Sequence, residues 1–109
     1  MSVSDNNVTA ALTYLAADPH PIAEARFRLT MAENNSKQVY ARAFLKTDGT
    51  VKERECTAET DREVIECKSH EADCVLEFER HRSRVKAAEM LLEIWRTENA
   101  NARAAERIR

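Results

Sequence analysis

A chain of 109 residues is long enough for one domain at most, with a modest core. Its single glycine nearly excludes a glycine-rich phosphate loop, and its net charge of −2 argues against a generally basic nucleic-acid binder. A composition with 33% charged residues and only two prolines is typical of long helices or coiled coils.

The N-terminal segment predicts a disordered start and then a short helix. Residues 1–7 are polar, and we expect them to be disordered. Residues 8–17 place their apolar side chains on one face of a helix, which Asn6 or Asn7 would cap. The two prolines that follow end this helix, because proline disfavours helix in the residue before it.

A second helix is predicted over residues 21–46. Pro21 suits its first turn, where a missing N–H costs nothing. Small residues dominate its inner stripe, so a neighbouring helix can approach closely. The stripe is Ile22, Ala25, Leu29, Ala32, Ser36, Val39 and Ala43.

A turn separates this helix from a third, short one. Gly49 is suited to the positive φ that such a turn needs. Thr50 and Glu53 have the spacing of a capping box, which predicts a helix over residues 51–58.

A long fourth helix is predicted from a second capping box, Thr60 with Glu63, to about residue 105. Its side chains repeat at alternating spacings of three and four, the pattern of a coiled-coil seam. The seam is Val64, Cys67, Glu71, Cys74, Phe78, His81, Val85, Ala88, Leu92 and Trp95. The members predicted to pack against another helix or subunit are Phe78, Val85, Ala88, Leu92 and Trp95.

The four segments predict an all-α fold, an elongated antiparallel helical hairpin with coiled-coil-like packing and a short N-terminal helix. Residues 8–109 would form a single domain. The charges indicate the register: residues 61–79 carry seven acidic and two basic side chains, a net −5, and Lys37, Arg42 and Lys46 would face them. The end of the long helix would overhang, to be covered by the first helix or by a second subunit. We favour a homodimer.

The cysteines and histidines of the long helix are interpreted as structural. Cys67, His70, Cys74 and His81 lie near one side of the long helix, but a single helix presents only two metal ligands well. We therefore predict that both cysteines are small core side chains rather than metal ligands. A catalytic pair of His81 and Glu71 would lack a recognisable nucleophile. We predict no cofactor, no metal and no enzyme activity.

The second half of the long helix is basic. Residues 80–109 carry eight basic and four acidic side chains, a net +4. The candidate DNA-binding residues are Arg80, Arg84, Arg96, Asn99 and Arg103. Arginine suits phosphate through its forked donors. Trp95, the ring closest to them in sequence, belongs to the seam, so the sequence predicts non-specific, salt-sensitive binding without an aromatic platform. The alternative is a solvated, salt-bridged surface.

Two short motifs resemble a group of small phage and prophage proteins. GTVKERE at residues 49–55 is similar to their GTV-x-ERE turn, and WRTENAN at residues 95–101, completed by Arg103, is similar to their WR-x-x-NAN-x-R segment. The similarity covers roughly residues 22–103. Such proteins tend to be encoded beside phage recombination and replication genes. The resemblance implies an accessory factor in the cytoplasm of a bacterial host, one that binds DNA or contacts a recombination or single-strand-binding protein.

A protein-interaction module is the alternative function, either an adaptor or an inhibitor of a host enzyme such as a nuclease. Its acidic residues 61–79 would then mimic the charge of DNA. The case for such mimicry is weaker if residues 37–46 cover these acidic side chains. A structural piece of a virion is a third possibility. Three cysteines without a CxxC motif, no signal peptide and no long apolar run favour a cytosolic protein without a membrane span.

Overall fold

The structure, a computed structural model, describes residues 3–108. This part of the chain forms four α-helices and no strand, which confirms the all-α prediction. The helices are α1 (Asp5–Leu15), α2 (Pro21–Lys46), α3 (Val51–Thr60) and α4 (Arg62–Ile108). Within the described range, no helix is both long and apolar enough to cross a membrane.

The helices cluster into two compact units. Unit 1 combines the N-terminal segment through Pro21 with the chain from Arg80 onward, and unit 2 is Ile22–Glu79. Helix α4 contributes its first part to unit 2 and its second part to unit 1.

Unit 2 contains the predicted antiparallel hairpin. Arg28 pairs with Glu77, and Asn35 Nδ2 donates to Cys67 Sγ at 3.4 Å. Arg42 lies 4.0 Å from Glu63. The numbers rise along α2 as they fall along α4, so the two helices run in opposite directions. One apolar cluster of the hairpin core is Leu29, Ala32 and Cys74, with Phe78 packed against them.

Unit 1 is formed by α1 lying against the second part of α4. Ala11 and Tyr14 of α1 are buried with Ala88 of α4. The half-buried residues around them are Leu15, Val85, Leu91 and Leu92. Helix α1 therefore covers the face that Val85, Ala88 and Leu92 present. The homodimer prediction rested on an uncovered seam in this part of α4. Because α1 covers the seam, that argument for a homodimer no longer applies.

The N-terminus of α1 differs from the prediction. The helix begins at Asp5, and the Ser4 hydroxyl caps it by accepting the Asn7 N–H at 3.2 Å. The prediction of disorder was therefore wrong for residues 5–7. A serine cap followed by an acidic first turn favours the start of a helix there. The first two residues of that prediction lie outside the described residues.

One of the two predicted capping boxes is confirmed. The Thr50 hydroxyl accepts the Glu53 N–H at 3.2 Å, and the Glu53 carboxylate accepts the Thr50 N–H at 3.3 Å. Gly49 before it has φ +128°, the positive value expected.

The second capping box is wrong, because α3 continues through Thr60. The Thr60 hydroxyl donates to the Cys56 carbonyl at 2.9 Å within that helix. Asp61 caps α4 instead, and its Oδ1 accepts the N–H groups of Glu63 and Val64 at 3.0 and 3.3 Å. A carboxylate at the helix start also meets the positive end of the helix dipole.

Replacing Thr50 by alanine should destabilise the protein by about 1 kcal/mol, because the Glu53 N–H loses its acceptor at the start of α3. Chemical denaturation followed by circular dichroism measures this change. Lys52→Ala is the matched control, since it changes an exposed residue of the same helix without touching the cap. Equal stability of the two variants would show that the capping box contributes nothing.

Candidate nucleic-acid interface

Three of the five predicted DNA-binding residues meet at one depression on the surface of α4 in unit 1. Arg96, Asn99 and Arg103 are spaced three and four residues apart, so they share one face of the helix. The depression has a volume of about 460 Å³ and is open to solvent. Its lining is Trp95, Arg96, Asn99, Ala102, Arg103 and Glu106.

The two guanidinium groups of this depression are exposed and weakly engaged. Arg96 Nη1 lies 3.3 Å from a Glu93 oxygen, and both side chains are about 70% exposed. Such a surface ion pair contributes little, so a phosphate can replace the Glu93 carboxylate at small cost. Arg103 is exposed and forms no ion pair within residues 3–108. With Glu106 as its acidic member, the depression carries a net charge of +1.

Arg80 and Arg84 do not join this group. At 3.6 residues per turn, Arg84 lies about 120° around the helix from Arg96, and Arg80 lies on the side of Arg84. The Arg84 guanidinium is 4.1 Å from the centre of the Tyr14 ring, in a cation–π contact with α1. The phase of the helix therefore separates the candidate residues into two groups, Arg80 with Arg84 and Arg96 with Asn99 and Arg103.

Tyr14 is the residue of α1 that organises unit 1, and the sequence analysis missed it. Its hydroxyl lies 3.1 Å from His81 Nδ1 and 3.4 Å from the His81 carbonyl. The His20 ring meets the Tyr14 ring edge to face at 4.8 Å. The Tyr14 hydroxyl thus gives the polar seam residue His81 a hydrogen-bond partner. The signal available in the sequence was an aromatic residue at the end of a short helix just before the two prolines.

Trp95 lies where the close packing of α1 against α4 ends. The apolar cluster between these helices extends to Leu92, and the Val3 N–H then donates to Glu98 Oε2 at 3.1 Å. The indole is half-buried and contributes to the depression beside Arg96 and Asn99. The sequence analysis assigned this ring to the seam, and the structure shows that it also borders the depression.

A second polar depression lies between α2 and α4 of unit 2. Its lining is Glu33, Ser36, Lys37, Tyr40, Lys68 and Glu71, around a volume of about 290 Å³. Two lysines and two glutamates balance, so this depression carries no net charge, in contrast to the one on unit 1. Burial raises the pKa of the Tyr40 phenol, and the nearby carboxylates of Glu55 and Glu59 and the Cys56 thiol raise it further.

The long-helix cysteines occupy the positions of small core side chains. Cys74 is buried beside Leu29 and Ala32, and its sulfur lies 3.7 Å from His70 Nε2. Cys67 is half-buried, and its sulfur accepts a hydrogen bond from the Asn35 side-chain amide. Across residues 3–108 the structure contains no group of three or more His, Cys, Asp or Glu side chains placed to hold a metal ion.

Comparisons of the chain with protein-family models, with curated proteins and with solved structures found no match.

Proposed function

We propose that this protein is a phage or prophage accessory factor in DNA recombination or replication. It binds DNA weakly, without sequence preference, through Arg96, Asn99 and Arg103. The observation that carries the proposal is the convergence of these three side chains on one exposed, net positive depression. Guanidinium and amide groups donate hydrogen bonds to phosphate oxygens, and such contacts do not depend on base sequence.

The phage context of the proposal is supported by the two motifs of residues 49–55 and 95–103. The second motif contains all three proposed contact residues. In this setting the protein acts in the cytoplasm of a bacterial host. It acts on DNA directly or together with a recombination or single-strand-binding protein. It forms a homodimer if a second copy binds at a surface other than the one that α1 covers.

The rival proposal is a protein-interaction module whose acidic residues mimic DNA. Within unit 2, Arg28 pairs with Glu77 and Arg42 with Glu63, so α2 neutralises part of the acidic stretch. A mimic needs its carboxylates free to meet the basic surface of an enzyme. This arrangement favours the basic depression of unit 1 as the functional surface, and it leaves an adaptor without DNA binding as the alternative.

Electrophoretic mobility of DNA with the purified protein tests the proposal. Two or three phosphate contacts predict that affinity falls roughly 7- to 40-fold between 50 and 200 mM salt. We expect a shift at low salt that weakens accordingly, with similar affinity for unrelated sequences. No shift at low salt by the folded protein would contradict DNA binding and would favour the protein-interaction alternative.

A further inference from the structure

We infer that the depression around Trp95 is a site for an unpaired nucleotide, and that the protein therefore prefers single-stranded nucleic acid to duplex. The base stacks on the Trp95 indole while Arg96 and Arg103 hold flanking phosphates. This inference rests on the proposed function and adds the class of nucleic acid that the same site takes.

The first support is the position of the indole among the phosphate-binding groups. Trp95 precedes Arg96 directly, and Asn99 follows one helical turn later on the same face. All three line the same depression. A partly exposed aromatic ring beside cationic donors is a combination by which single strands are bound without sequence preference. Because every base has a π-face, the ring adds affinity for any base.

The second support is the length of the site. From Trp95 to Arg103 the helix rises about 12 Å, which roughly matches three to four nucleotides at stacked spacing. Asn99 lies between the ring and Arg103, and its amide offers both donors and an acceptor to a base edge or a sugar. A short single strand can therefore contact the ring, the amide and both arginines together.

The third support is that α4 offers a duplex no long, continuous face of cations. A rigid double helix binds best to cations along a long continuous face. Before Arg96 this face ends, because Arg84 lies about 120° away and stacks on Tyr14, and beyond Arg103 it extends by one turn to Arg107. Duplex DNA also keeps its base faces stacked on one another, so the indole has nothing to stack on. A flexible strand needs only the local group, and its base is free to reach Trp95.

The experiment uses the fact that Trp95 is the single tryptophan of the chain, so its fluorescence reports on this site alone. The full-length protein is titrated at low salt with oligo-dT, with oligo-U and with a duplex of equal length. We expect both single strands to quench the fluorescence and the duplex to leave it nearly unchanged. A difference between oligo-dT and oligo-U would show whether DNA or RNA supplies the strand.

Two variants test the role of the ring. Trp95→Leu should weaken binding of oligo-dT roughly 5- to 150-fold, as expected for the loss of one stacked base. Trp95→Phe should restore part of that loss because it keeps an aromatic face. Ile94→Ala is the matched control, since it removes an exposed apolar neighbour outside the depression. Circular dichroism confirms that each variant remains helical.

The outcomes separate this inference from the proposed function. If the duplex quenches as strongly as oligo-dT, or if Trp95→Leu binds like the wild type, the single-strand site is overturned. The proposed function survives that result as long as alanine at Arg96 and Arg103 still weakens binding. If no nucleic acid binds at low salt, both fail together.

Discussion

Alanine at both Arg96 and Arg103 should reduce the affinity for DNA at low salt by roughly 10- to 100-fold. The two guanidinium groups supply all the positive charge of the depression, and each charge-assisted bond to phosphate stabilises the complex by about 1 kcal/mol or more. The loss should be similar for every base sequence, because phosphate contacts position the strand without reading it. Fluorescence anisotropy of a labelled oligonucleotide measures the change.

The control for this prediction removes the same charge elsewhere. Lys52 and Arg62 are exposed residues of unit 2, and the Arg62 side chain is 93% exposed. We expect Lys52→Ala with Arg62→Ala to change the affinity by less than about twofold, because isolated surface charges act weakly through solvent. An equal loss in both double variants would mean that net charge, and no particular site, governs binding.

Replacing Tyr14 by alanine should release α1 from unit 1, at a cost of roughly 3–5 kcal/mol. The substitution removes a buried ring, the hydrogen bond to His81 and the cation–π contact with Arg84 at once. An isolated helix of eleven residues is marginal in water, so α1 should unfold once its anchor is gone. Native-state hydrogen exchange should then show that the amides of α1 have lost their protection.

Tyr14→Phe separates the contributions of Tyr14. It keeps the ring over which Arg84 lies and removes only the hydroxyl, so the expected loss is about 1 kcal/mol. The amides of the α2–α4 hairpin provide the internal reference, because Tyr14 belongs to unit 1. Protected α1 amides in Tyr14→Ala would contradict the role of this residue as the anchor.

The boundaries of the helices were predictable where the sequence contains strong local signals. Helix α2 runs over the predicted residues 21–46, because Pro21 favours its first turn and Gly49 lies in the turn beyond its end. The antiparallel hairpin was predictable from charge, and Arg42 does face Glu63. The start of α4 was not predictable, because Thr60 and Asp61 are adjacent and both residue types cap helices. Only the structure distinguishes the two caps.

The residues of the candidate site were predictable, but the packing around them was not. The motif of residues 95–103 indicated Arg96, Asn99 and Arg103, and local helical spacing was enough to place them together. Helix phase alone separates Arg84 from Arg96, but the contact of Arg84 with Tyr14, a residue 70 positions away in the chain, was not predictable. The partial exposure of Trp95 likewise depends on where α1 stops covering α4. Long-range packing of this kind leaves no periodic signal in the sequence.

The salt dependence of oligonucleotide binding tests the central claim most directly, when it is compared between the wild type and the Arg96→Ala, Arg103→Ala double variant. If both arginines contact phosphate, the slope of log affinity against log salt should be shallower in the variant by about 1.4–1.8. Parallel lines, with the same slope for both proteins, would contradict the assignment of these two residues as the phosphate contacts.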